Sequence, residues 1–199
     1  MSGVAVTEQG RETRARIVAA AAALIGERGV GATSLDDIRA ATSSSKSQLY
    51  HYFGDKDGLV RAVIDYQSGL VLGAQVDALG DVRSWRGLKR WADGMVAMVE
   101  ARGARGGCPI GTLAAALADT DERFRVPLSE AFGHWREAIG AMLMRLQGRG
   151  LLTPDADLEA LTTTMLAAIQ GGLLLAKTSR DSAQLRAALD GAIAHLRNS

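Results

Sequence analysis

Apolar residues recur along this chain at steps of three and four rather than two. From Thr13 to Arg28 they fall at Ile17, Ala20, Ala21, Leu24 and Ile25, one face of a helix that Gly29 stops. Thr33 and Ser34 then precede Leu35, Asp36, Asp37 and Ile38. A hydroxyl there can cap free amides while two acids sit at the positive end of the dipole, which predicts a second helix to about Ala41. The polar turn Thr42-Ser43-Ser44 leads into a short third helix over 45–53, where Leu49 and Phe53 share a face. Asp55 is placed to cap a fourth, running through Lys56, Leu59, Val60, Val63 and Ile64 past Gly69 toward Val76.

Beyond a break at Gly80 to Ser84 the same periodicity predicts helices over 85–101, 110–118, 122–147, 158–177 and 182–197. Gly103 to Gly107, Asp119 to Asp121, Gly148 to Asp155 and Thr178 to Asp181 separate them. Prolines occur only at 109, 127 and 154 and aromatics make up 5% of residues, so the expected class is all-α, about nine helices. The eighth helix is apolar nearly all round, from Leu161 to Leu175, and must be covered on several sides. The ninth carries a stripe suited to another helix. Together they predict a four-helix dimer interface through Leu166, Leu173, Leu174, Leu185, Leu189, Ile193 and Leu196. Gly171 and Gly172 each cost about 1 kcal/mol relative to alanine, so either a close approach of partner backbone or ligand, or a helix kink, is expected there.

Composition narrows the function classes. With 199 residues, 47% apolar, the chain can bury a real core. The single cysteine, Cys108, precludes an internal disulfide and fits a reducing compartment. Met1 to Gly10 shows no basic start followed by an apolar run, so the expected setting is the cytoplasm. The greasiest window, Met165 to Ala176, falls short of the roughly 20 apolar residues of a membrane span, so no membrane is expected. A net charge of +1, with seven basic and seven acidic residues before position 61, offers no bulk attraction to polyphosphate. No cluster has metal-ligand spacing and no glycine-rich loop suggests a nucleotide, so no cofactor is indicated.

Three short helices, the last two joined by a tight polar turn, form a helix-turn-helix, whose third helix enters the major groove. The ordered set Arg14, Ile17, Ala20, Ala21, Leu24, then Gly29, Thr33, Ser34, Ile38, then Ser45, Lys46, Leu49, Tyr50, Tyr52, Phe53, Lys56, Leu59 resembles the tetracycline-repressor (TetR) family over residues 11–60. Arg39 departs from the family's usual alanine, Thr42-Ser43-Ser44 from small residues ending Ala-Gly-Val, and Ser47 from a frequent glycine.

The expected organisation is a flexible arm over 1–10, a DNA-binding domain over 11–60, a connecting fourth helix over about 55–76, and a ligand-binding and dimerisation domain over 61–199. Ser45, Lys46, Ser47 and Gln48 lead the recognition helix and are placed to reach bases or phosphates, with Gln48 the foremost base reader. Tyr50, His51 and Tyr52 lie further along, where a phenol or imidazole can donate to a phosphate. The resemblance implies backbone contacts there and at Lys56, and Thr33 and Ser34 are expected to hold another phosphate. Tyr50, Tyr52 and Phe53 also suit a core, and the lysines also suit solvent. Arg11, Arg14 and Arg16 suit backbone contact or a minor-groove arm.

The resemblance further implies a homodimer on a near-palindromic double-stranded operator, released by a small-molecule effector. Candidate pocket residues are Trp91, Met95, Met98, Cys108, Phe132, Trp135, Met142, Met144, Met165 and Ile169, all equally suited to core filling. The segment Gly106 to Gly111 together with Gln170 to Leu174 resembles one TetR subgroup and suggests an apolar or aromatic effector. Two alternatives stand beside a repressor: a helical protein-interaction adaptor, and a thiol-dependent enzyme with Cys108 activated by His134 or His195. The regulator is favoured and no enzymatic activity is expected.

Overall fold

The computed structural model describes residues 8–199. Among the described residues every regular element is a helix. In order they are α1 (Glu8–Arg28), α2 (Leu35–Thr42), α3 (Lys46–Phe53), α4 (Lys56–Gly80), α5 (Trp85–Ala101), α6 (Pro109–Leu117), α7 (Glu122–Gln147), α8 (Leu158–Ser179) and α9 (Ala183–Arg197). The expected arm falls largely on residues 1–7, which lie outside the described residues, while Glu8 to Gly10 open α1. Helix α1 thus starts five residues before Thr13, because its polar first turn carries no apolar signal. Helix α4 runs on to Gly80; a Cβ at Gly69 or Gly73 would meet only open space, so neither glycine marks a tight contact.

Contacts divide the chain into two compact units, one of residues up to Gly69 with Leu113–Leu128, the other of Leu70–Thr112 with Ser129–Ser199. In the first unit α1 packs on α2 and α2 on α3. Ile17, Val18, Ala21, Ala22 and Ile25 supply the buried face of α1, Ile38 that of α2, Leu49 that of α3, and Leu59, Val60, Val63 and Ile64 that of α4. Leu113, Leu117, Phe124 and Leu128 complete this core. Eight-residue helices are too short to persist alone in water, so α2 and α3 depend on these anchors and on their caps.

One glycine fixes the α3–α4 corner. A Cβ at Gly58 would lie 1.9 Å from the carbonyl oxygen of Phe53, the last residue of α3. The Gly58 N–H also receives the α4 cap, donating to Asp55 Oδ1 at 2.7 Å.

In the second unit α8 packs along α9, and α9 also meets α5. At Gly172 the two helices come close: a Cβ there would come within 2.9 Å of Leu185 Cδ1 and 3.1 Å of its Cα. Of the two explanations for the glycine pair, close backbone approach holds at Gly172, with the chain's own α9 as the neighbour, whereas Gly171 faces open space. Leu185, Leu189, Ile193 and Leu196 are buried by this packing, and Leu166 and Leu173 of α8 are buried too. By length and composition alone α8 as a whole is long and apolar enough to cross a membrane, which the shorter window Met165 to Ala176 did not reveal. Its apolar residues from Leu161 to Ala176 are partly consumed against neighbouring helices, as in a core helix.

Candidate nucleic-acid interface

The local chemistry of α2 and α3 is the same device used twice. Ser34 caps α2: its Oγ accepts from the Asp37 N–H at 3.1 Å, and the Asp37 carboxylate accepts from the Ser34 N–H at 2.8 Å. The Ser34 hydroxyl also donates to Asp37 Oδ2 at 2.6 Å, and this bond first, then the Ser34 N–H and Arg28 3.6 Å away, hold the Asp37 carboxyl below the usual carboxylate range. Ser45 caps α3 in the same way, accepting from Gln48 N–H at 3.1 Å while Gln48 Oε1 accepts from Ser45 N–H at 2.9 Å.

The capping box defines what Gln48 can do. Its oxygen spends one of two lone pairs on the Ser45 N–H, so a paired donor and acceptor contact with adenine must be made with the oxygen held in the box, whereas the box uses neither Nε2 hydrogen. Ser45, Lys46, Ser47 and Gln48 are all exposed, and together they form the leading edge of α3. Tyr50, 48% exposed, continues the edge, with Lys46 Nζ 5.9 Å from its ring centre. His51 is exposed and Tyr52 half-buried, their rings edge to face at 5.2 Å.

Other expected contact residues sit differently. Thr33 is 1% exposed and its hydroxyl donates to Gly29 O at 2.8 Å, so its side chain closes the α1–α2 turn and is shut away from any phosphate. Ser34 beside it is exposed. Lys56 is half-buried and donates to Val30 O at 3.0 Å, tying α4 to the same turn. Phe53 is half-buried under the Arg14 guanidinium, 5.4 Å from its ring centre. Arg16 donates to the carbonyl of Thr42 at the end of α2, and Arg11 pairs with Glu8. Sequence reasoning placed Ser44 in the polar turn without its burial, its Oγ 2.9 Å from Thr42 Oγ1, and passed over Gly58.

The candidate effector residues separate into two sets in the second unit. Trp91, Met95 and Met98 line an open groove of about 440 Å³ with Gln75, Val82 and Arg90, and Trp91 Nε1 donates to Gln75 Oε1 at 3.1 Å. Cys108, Trp135, Met142, Met165 and Ile169 are buried, Phe132 is half-buried and Met144 is 58% exposed. Burial pushes the Cys108 thiol up, against hydrogen bonds from the Gly111 backbone and Gln170 that pull it down. That is the opposite of an activated nucleophile, and His134 and His195 are both exposed.

Residues 17–63 match the model of bacterial regulatory proteins of the tetR family. Residues 85–190 match that of the LmrA/YxaF-like transcriptional regulator C-terminal domain. An HTH-type transcriptional regulator in the lacX 3'region of Lactococcus lactis subsp. lactis is 33% identical over 176 residues, 86% of each chain. A TetR transcriptional regulator from Chloroflexus aurantiacus J-10-fl superimposes with a TM-score of 0.78 at 28% identity, covering 95% of this chain and 96% of its own. The regulatory protein TetR from Rhodobacter sphaeroides shares the fold at a TM-score of 0.83 and 22% identity, covering 92% and 98%.

Proposed function

Because the chain belongs to the TetR family of transcriptional regulators, DNA-binding proteins with a helix-turn-helix, we propose that it is a cytoplasmic repressor that grips a near-palindromic operator as a homodimer and releases it on binding a small apolar or aromatic effector. The observation that carries this reading is the leading edge of α3, where Ser45, Lys46, Ser47, Gln48 and Tyr50 all stand in solvent on a helix anchored from behind by Leu49. Ser34 stands exposed at the start of α2 with the positive end of that helix behind it, its hydroxyl hydrogen donated to Asp37 Oδ2 at 2.6 Å.

The homodimer is supported by apolar surface that the chain leaves open. Leu174 and Leu175 are 63% and 54% exposed on α8. The α9 stripe is already buried within the protomer, so a partner would meet α8 at Leu174 and Leu175 rather than at Leu185, Leu189, Ile193 or Leu196. Two reading edges about 34–36 Å apart would then face successive major grooves.

The effector is assigned to the groove beside Trp91, Met95 and Met98. Its volume suits a small ligand, its floor is aromatic and thioether, and the Trp91–Gln75 pair supplies a polar fixed point. An effector that favours one arrangement of the protein over another shifts operator affinity by that difference and no more.

Replacing Lys46 or Tyr50 with alanine tests the reading. Operator affinity is expected to fall about tenfold or more with dimerisation and helicity intact, and K46A to reduce the salt dependence by about one phosphate contact. Unchanged affinity and salt dependence in both variants would refute the assignment of α3. Aromatic compounds titrated against tryptophan fluorescence, with Trp91→Phe as the control that leaves only Trp85 and Trp135, test the effector site separately: a compound that quenches Trp91 without loosening the operator complex contradicts the regulatory role.

A further inference from the structure

The bend between α2 and α3 is built from polar parts. Thr42 ends α2, and its carbonyl is one of the four at a helix C-terminus that have no partner within the helix. Arg16, reaching across from α1, donates Nη1 to that carbonyl and brings its positive charge to the negative end of the α2 dipole. On the inner side Thr42 Oγ1 donates to Ile38 O at 2.8 Å and lies 2.9 Å from Ser44 Oγ, both side chains being about 95% buried. Between these two hydroxyls Ser43 takes a left-handed conformation, φ 52° and ψ 29°, which glycine adopts freely and serine does not. Ser45, directly after Ser44, is the N-cap of α3. The direction of α3 is therefore set at residues 42–45, by a strained residue clasped from the inside by the Thr42–Ser44 pair and from the outside by Arg16.

We propose that Arg16 is a positioning residue for operator recognition: acting through the Thr42 carbonyl, it holds the turn that aims α3, and it does so without touching DNA. The proposal rests on α3 being the reading edge, as argued above. It makes a distinction that charge alone does not. A guanidinium on a phosphate strengthens binding to every sequence and adds about 0.9 to the slope of log affinity against log salt. One that aims a helix strengthens only binding that depends on where the helix points.

The test uses the full chain and two duplexes, one selected from random sequence by the unaltered protein and one unrelated, each titrated at several salt concentrations. Arg16→Ala is expected to bind the selected duplex about tenfold more weakly, with its salt slope unchanged and the unrelated duplex bound as before. Thr42→Val, which breaks the clasp from inside at a residue shut off from DNA, is expected to give the same signature and stands in if the arginine variant fails to fold. A slope lower by about 0.9 with equal losses on both duplexes would make Arg16 a phosphate contact and overturn the proposal. Full operator affinity in a folded Arg16→Ala protein would overturn it as well. Failure of α3 as the reading edge is separable, because K46A and Y50A would then bind the selected duplex normally whatever Arg16 does.

Discussion

Gly58→Ala should damage this protein, although helix propensity alone says it should help. Alanine in place of a helical glycine gains up to about 1 kcal/mol. At position 58 the added Cβ falls 1.9 Å from Phe53 O, and real Cβ contacts essentially never lie under 3.0 Å, so the α3–α4 corner must open by 1.1 Å or more. The obstacle is backbone, which cannot rotate away, and such overpacking costs about 1–3 kcal/mol or somewhat more. The net expectation is a loss of about 1–2 kcal/mol, or roughly 2–8 °C in Tm for a chain of this size. Gly26 is the internal control: it is also helical, but a Cβ there meets nothing within 4 Å, so Gly26→Ala should be neutral or stabilising. Urea denaturation of both variants, with titration against a selected operator duplex, reads the effect on stability and on the placement of α3. If Gly58→Ala proves as stable as Gly26→Ala and binds DNA normally, the reasoning about the corner is wrong.

Gln48→Glu keeps an acceptor for the Ser45 N–H and places a charge at the helix N-terminus, so stability should hold or rise by about 0.3–1 kcal/mol while operator affinity falls at least tenfold. Wild-type affinity in that variant, measured by duplex titration, would remove Gln48 from the reading edge. Leu174→Glu combined with Leu175→Glu should weaken self-association more than tenfold without lowering helicity, since both side chains are over half exposed in the single chain. Sedimentation showing an undisturbed dimer would move the interface elsewhere. Asp37, Asp93, Asp121 and Glu122 are each held below their ordinary values of 3.8 to 4.5, chiefly by hydrogen bonds from Ser34, Lys89, Arg123 and Arg125 respectively. The folded form therefore gains from their charge above those values and loses it as pH falls through the lower folded ones. Thermal unfolding should show stability declining below about pH 4.5, and stability rising there instead would contradict it.

The hydrophobic pattern located helices well where both ends carried chemistry. The breaks Gly80 to Ser84 and Asp119 to Asp121 made the starts of α5 and α7 legible, and their ends at Ala101 and Gln147 coincide with the expected ones. It failed where an end is purely polar, as in the first turn of α1. At the site, sequence identified the leading edge of α3 but not the internal commitments of its neighbours. Thr33 and Ser34 are equally plausible caps on paper; only packing shows that Ser34 caps α2 while Thr33 turns inward to Gly29. Burial likewise decides that the α9 stripe belongs to the protomer's own core, because a stripe of leucines carries no mark of whose helix it will meet. The role of Arg16 was illegible for the same reason: its partner is a backbone carbonyl 26 positions away.

The central claim is that the exposed edge of α3, carried by a dimer, reads a specific duplex. Selecting bound fragments from sheared genomic DNA with the full-length protein tests it most directly. The expected result is strong enrichment of a few fragments that share an inverted repeat with half-site centres about 10 base pairs, or a multiple of that, apart, lost when Lys46 and Tyr50 are replaced by alanine. Recovery of fragments with no common sequence, or the same repeat from the doubly substituted protein, would contradict the account.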